Sequence, residues 1–127
     1  MIMRSSACAL DVDSWFDRHH LVVEVIGEVD AYTCARLREV LVDASLNGHH
    51  RIVLELSEVD FMDSSGLGVV VGSLKRARNS GGAVALVGVQ RQLRSMLEVT
   101  GLVKVLPCFG SLEDAFKLFD ERHHAQG

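Results

Sequence analysis

Asp63-Ser64-Ser65-Gly66 is the part of this chain whose residue types and spacing could do chemistry. A serine hydroxyl beside a carboxylate can cap a helix, attack an acyl group or accept a phosphate. Which of these applies depends on the elements around it. Upstream, Arg51-Ile52-Val53-Leu54-Glu55-Leu56 is rich in branched apolar residues and short enough for a buried strand. Downstream, Leu67, Val70 or Val71, Leu74 and Ala77 recur at helical spacing, with Lys75, Arg76, Arg78 and Asn79 on the other side. Asp63 or Ser64 is therefore a natural N-cap. A helix N-terminus also favours negative charge, so a phosphate on Ser64 would be accommodated there. Ser64 is thus a candidate switch residue, with simple capping as the structural alternative.

Other chemistries fit less well. Acyl transfer lacks a Gly-x-Ser-x-Gly elbow, and no histidine stands where a strand end would aim it at Ser64. Gly66-x-Gly68-x-x-x-Gly72 departs from the dinucleotide fingerprint, because Val71 occupies the place of the third glycine. No acidic residue closes the following strand at Val87-Gly88-Val89, and no glycine-lysine-serine/threonine loop exists. The pairs His19-His20, His49-His50 and His123-His124 fall at predicted turns or in the tail. Adjacent side chains diverge, so these read as solvated loop histidines. Cys8, Cys34 and Cys108 are too widely separated for a disulfide framework or a metal motif. The site therefore reads as carrying no catalytic residue, metal or cofactor.

The chain has 127 residues, 48% of them hydrophobic and 24% charged, which suits one domain with a self-sufficient core. A net charge of −4 speaks against a nucleic-acid surface. No apolar run reaches the roughly 18 residues of a membrane span. Met1 to Leu10 lacks a signal-peptide hydrophobic region, so the expectation is a cytoplasmic protein with no membrane contact.

Two strands open the chain, Cys8 to Trp15 and Leu21 to Gly27, antiparallel about a polar turn at Asp17 to His20. Asp30 starts a helix to about Leu46, burying Leu37, Val40, Leu41 and Ala44 and ending at Asn47-Gly48. After the strand at Arg51 to Leu56, a helix runs from Ser64 to about Ser80 and stops at Gly81-Gly82. Ala83 to Val87 is a strand, Gln90 to Val99 a helix and Leu102 to Leu106 a last strand. Ser111 caps a final helix with Leu112, Ala115, Phe116 and Phe119 on one face, and Asp114 completes a capping-box-like pattern. Asp120 to Gly127 reads as a polar, fraying tail. The alternation after residue 21 predicts a largely parallel sheet with crossover helices. Gly68-Val69-Val70-Val71-Gly72 has poor helix propensity, so the helix there must rely on packing, with Gly68 and Gly72 allowing a close neighbour.

Phe61-Met62-Asp63-Ser64-Ser65-Gly66-Leu67-Gly68-Val69 resembles the signature of the anti-sigma factor antagonists, bacterial STAS-domain proteins. Gly27-Glu28-Val29-Asp30 resembles the family's Gly-Glu-aliphatic-Asp element, Ser80-Gly81-Gly82 its turn before the next strand, and Leu93 to Leu102 its penultimate helix and exit. The resemblance runs over residues 7 to 120, leaving 121 to 127 as a tail to a single domain spanning 1 to 127. It implies an α/β fold whose mixed, mostly parallel sheet has about four or five strands, with about four helices.

It also implies a partner switch. Unphosphorylated, the protein would bind a cognate anti-sigma factor, a GHKL-type serine kinase, and free a sigma factor. The kinase would phosphorylate Ser64 from ATP and so lose its grip, and a PP2C-type phosphatase would reverse the change. Asp30, Thr33, Met62, Asp63, Ser65, Gly66 and Leu67 would then form the partner surface at the carboxyl end of the sheet, where open α/β sheets bind ligands. Capping is the plainer role for Asp30, Thr33, Asp63 and Ser65. The alternative within the same family is a scaffold or regulatory subunit of a stressosome or transport complex.

Overall fold

The computed structural model describes residues 10–126, and the side chains within residues 10–120. The elements are β1 (Asp11–Asp17), β2 (His20–Ile26), α1 (Cys34–Leu46), β3 (Arg51–Glu58), α2 (Ser64–Asn79), β4 (Ala83–Val87) and α3 (Arg91–Thr100). A 3₁₀ turn (Leu102–Lys104), β5 (Cys108–Phe109) and α4 (Leu112–Gln126) follow. They form a five-stranded sheet in the order β1-β2-β3-β4-β5, with β1 antiparallel to β2 and the remaining pairs parallel.

Strands β2, β3 and β4 read as nearly unbroken apolar runs because both faces of the sheet are covered. Leu21, Val23, Val25, Ile52, Leu54, Leu56, Val84 and Leu86 face the layer built by α1, α2 and α3. The alternate residues Val22, Val53, Ala85 and Val87 pack beneath Ala115, Phe116 and Phe119 of α4. The β1–β2 turn is made by Arg18 and His19, both left-handed at φ 51° and 73°, the sense that matches strand twist in a two-residue hairpin. Arg18 there reaches Glu113 of α4 at 3.0 Å.

Several sequence expectations are corrected. Leu102 to Leu106 is not a strand. Gly101, left-handed at φ 76°, ends α3 and throws the chain at once into the 3₁₀ turn. The chain reaches the β4 edge only at Pro107 and Phe109, whose carbonyls accept from Leu86 and Gly88. The regular part of α1 begins at Cys34, because a closed turn occupies Asp30 to Thr33. Helix α4 runs on to Gln126, into the stretch read as a polar tail. Cys8 and Ala9, at the start of the expected first strand, lie outside the described residues.

The histidines also differ from expectation. His20 is wholly buried, stacked on Phe116 and Phe119 with ring centroids 4.6 and 5.5 Å away. Its Nδ1–H donates to the Asp17 carbonyl at 2.9 Å, and Nε2 lies 3.5 Å from the Asp120 carboxylate. His49 and His50 are half-buried, His49 standing edge-on to Phe16, whereas His19 is exposed in its turn. The side chains of His123 and His124 lie outside the described residues. Cys34 is buried at the start of α1; Cys108 is half-buried in β5, and burial raises its thiol pKa against the opposing pull of Arg94.

The valine run does form helix in α2. Val69 and Val70 are buried at 5% and 1% exposure, so packing outweighs propensity. The close approach, however, is not at Gly68 or Gly72. A Cβ at Gly68 would meet nothing within 4 Å, and one at Gly72 only the Arg76 guanidinium at 3.4 Å. Within α2, Gly66 is the crowded glycine.

Candidate functional site

The carboxyl ends of β2 and β3, adjacent and parallel, release two loops that pair again just beyond the sheet. Val29 and Met62 form an isolated parallel bridge. The Val29 N–H donates to the Phe61 carbonyl at 3.0 Å, and the Asp63 N–H to the Val29 carbonyl at 2.9 Å. On the other flank stands Gln92 of α3. Its Oε1 accepts from the Met62 N–H at 2.9 Å, and its Nε2 donates to the Met62 carbonyl at 2.8 Å.

This held loop delivers the start of α2. Asp63 is the N-cap, in extended conformation, and its Oδ1 accepts from the Ser65 and Gly66 N–H groups at 2.8 and 3.1 Å. A cap of this kind is worth about 1 kcal/mol. The Leu67 N–H closes on the Asp63 carbonyl at 3.0 Å. Ser64, the first helical residue, is exposed. Gly66 lies against the bridge: a Cβ there would stand 2.5 Å from Val29 Cγ1 and 2.7 Å from Met62 Cγ. The helix start can therefore sit this close to the Val29–Met62 pair only with glycine at this position.

The neighbouring turn is built by Asp30. Its Oδ1 accepts from the Tyr32 and Thr33 N–H groups at 2.8 and 2.9 Å, and its carbonyl from the Cys34 N–H. The Thr33 hydroxyl accepts from the Asp30 N–H at 3.0 Å and donates to the Glu28 carbonyl at 2.8 Å. Foremost the Thr33 N–H holds the Asp30 carboxyl below the usual carboxylate range, against desolvation and with help from the Tyr32 N–H and Thr33 hydroxyl.

The Val29–Met62 bridge thus brings Asp30 and Thr33 beside the Met62-to-Leu67 segment. Of the residues the sequence assigns to a partner surface, Met62, Gly66 and Leu67 are buried and shape the loop from within. Two exposed aromatics were missed: Tyr32 at 95% exposure and Phe61 at 39%, one on each of the paired loops. Phe61 lay within the signature stretch, so its neighbourhood was visible in the sequence. Gln92 was also missed, and its only sequence signal is a polar residue on the α3 face that carries Leu93, Met96 and Leu97. Among the described residues no group of three or more His, Cys, Asp or Glu could hold a metal ion, and no helix is long and apolar enough to cross a membrane.

A mixed five-stranded sheet that offers a capped, exposed serine at its carboxyl edge is the architecture of a STAS-type domain. A family model described as STAS domain matches residues 13–115, and the chain belongs to that family. It is 36% identical over 90 residues to the anti-sigma-B factor antagonist of Listeria monocytogenes, a match spanning 71% of this chain and 79% of that one. Its fold matches the crystal structure of an anti-sigma factor antagonist from Mycobacterium paratuberculosis with a TM-score of 0.82 at 23% identity, covering 93% of this chain and 99% of that one. It also matches the Bacillus cell fate determinant SpoIIAA in its phosphorylated form, with a TM-score of 0.69 at 24% identity, covering 86% and 97%.

Proposed function

We propose that this chain is an anti-sigma factor antagonist switched by phosphorylation of Ser64. Unphosphorylated, it binds a cognate anti-sigma factor in the cytoplasm, a serine kinase of the GHKL type, and the sigma factor is freed. The kinase transfers the γ-phosphoryl of ATP to Ser64 Oγ: the bond to ADP breaks, the new P–O bond forms, and the hydroxyl proton leaves. A PP2C-type phosphatase hydrolyses the ester and restores binding. The protein is the substrate in this scheme and performs no catalysis itself.

The observation that carries this reading is the state of the Ser64 hydroxyl. It is exposed at the first position of α2, while the capping task is met by Asp63 next to it. Such a hydroxyl is free to enter a kinase site. A phosphate there adds a charge of about −1.5 to −2. The helix N-terminus favours it by about 0.3–1 kcal/mol, so the fold survives. An interface does not. Tyr32 and Phe61 flank the serine loop as exposed aromatic anchors of the kind that interfaces bury. A dianion set among them must be desolvated or expelled, and the complex dissociates.

The test is intact-mass spectrometry with site mapping after incubation with ATP and each anti-sigma kinase of the same cell. Wild type should gain one phosphate on Ser64, and Ser64→Ala none. If no kinase modifies the wild type, the switch reading falls, and a scaffold role within the family takes its place.

A further inference from the structure

We infer that Gln92 is the positioning residue for the phosphoacceptor loop, holding Ser64 in presentation from α3; this rests on the reading of Ser64 as the modified residue. Both ends of the Gln92 amide are engaged. Oε1 takes the Met62 N–H, while Nε2 serves the Met62 carbonyl and lies 3.1 Å from Met96 Sδ. Turning the amide over would set its NH₂ against the Met62 N–H, so its orientation is fixed.

Met62 itself has no exposed surface, and Gln92 satisfies both of its backbone polar groups. Its neighbours in sequence bond to Val29 on the opposite side. The segment entering α2 is therefore gripped on both edges as an inner strand is, although α3 contributes only one side chain to the grip. The docking of α3 is a separate matter, secured by Leu93 and Leu97 at 3% and 0% exposure.

Removing the amide leaves a buried N–H and C=O unpaired, and the loop relieves this by opening to water. Ser64 is then presented by a mobile segment that a kinase must reorder on binding. The loss falls on the formation of the complex, because the loop once bound is held by the partner.

Gln92→Met keeps the length and apolar bulk of the side chain but removes the amide. Gln92→Asn keeps the amide one methylene short of Met62, a gentler change should the first variant fold poorly. Amide exchange followed by NMR on the free proteins should show Met62 protection reduced about tenfold or more in both, with Leu54 of β3 unchanged. Phosphorylation kinetics with the cognate kinase should show KM raised about tenfold and kcat within about twofold. Unchanged Met62 protection overturns the inference. So does a loss of kcat in step with a lowered melting temperature, which marks general destabilisation. If no kinase modifies even the wild type, it is the switch reading that fails, and Met62 exchange alone then upholds or overturns the role of Gln92.

Discussion

Two aspartates at the carboxyl ends of neighbouring strands build the same device to different ends. Asp30 and Asp63 each gather two backbone N–H groups on one carboxylate oxygen, and each has a hydroxyl residue close by. Beside Asp30, the Thr33 hydroxyl is used up, accepting one bond and donating another within its own turn. Beside Asp63, the Ser64 hydroxyl stands exposed and the cap is complete without it. The first hydroxyl is spent on closing a turn; the second is left unengaged. Residue type and a nearby aspartate do not separate the two. Hydrogen-bond occupancy does.

The largest effect should appear where this contrast is tested directly. Ser64→Ala abolishes phosphate incorporation, while Thr33→Val leaves the site competent and lowers stability by about 1 kcal/mol through its lost bonds. Mass spectrometry and urea titration read the two results. A phosphate found on Thr33 would break the comparison.

Next comes the glycine that lets α2 start against the bridge. Gly66→Ala, which must displace Val29 or Met62, should destabilise by about 1–3 kcal/mol. Gly68→Ala, exposed and with open space around it, should be neutral or stabilise by up to about 1 kcal/mol. The difference between the two urea midpoints sharpens the assignment of the crowded position.

The smallest effect belongs to the acid limb of stability. The folded pKa of Asp30 lies below its ordinary 3.8, so its turn stabilises the fold fully above that value and loses the contribution as pH falls through the folded pKa. Asp30→Asn should therefore lie below wild type in stability near neutrality and approach it at acid pH. A gap independent of pH would mean that ionisation of Asp30 does not matter to the turn.

The sequence made Ser64 and the start of α2 legible because capping chemistry is local: an aspartate, a serine and an apolar period of helical spacing stand within a few residues. The strands at Arg51 and Ala83 were legible for a similar reason, as short branched-apolar runs bounded by turns. Some of the missed features depend on distant partners and others on a local backbone conformation. Leu102 to Leu106 is apolar enough for a strand, and only the left-handed Gly101 decides that it becomes a 3₁₀ turn. Gln92 meets Met62 across 30 residues, a side-chain-to-backbone contact that leaves no periodic trace. His20 reads as part of a polar turn until the aromatic residues of α4 are laid over it. Asp30 has the pattern of a helix start, but its own carboxylate closes a turn first and delays the helix to Cys34.

The arrangement of α4 has a consequence for how the chain is made. The layer over Val22, Val53, Ala85 and Val87 is supplied by residues from Leu112 onward. During synthesis those strand residues emerge from the ribosome long before their cover does. A nascent chain arrested ahead of Leu112 could assemble the α1–α3 side while leaving an apolar strip facing solvent. Completion of the last helix is thus the event that turns an adhesive intermediate into a finished domain, and mutations at Phe116 or Phe119 would be felt first as lost yield during biosynthesis.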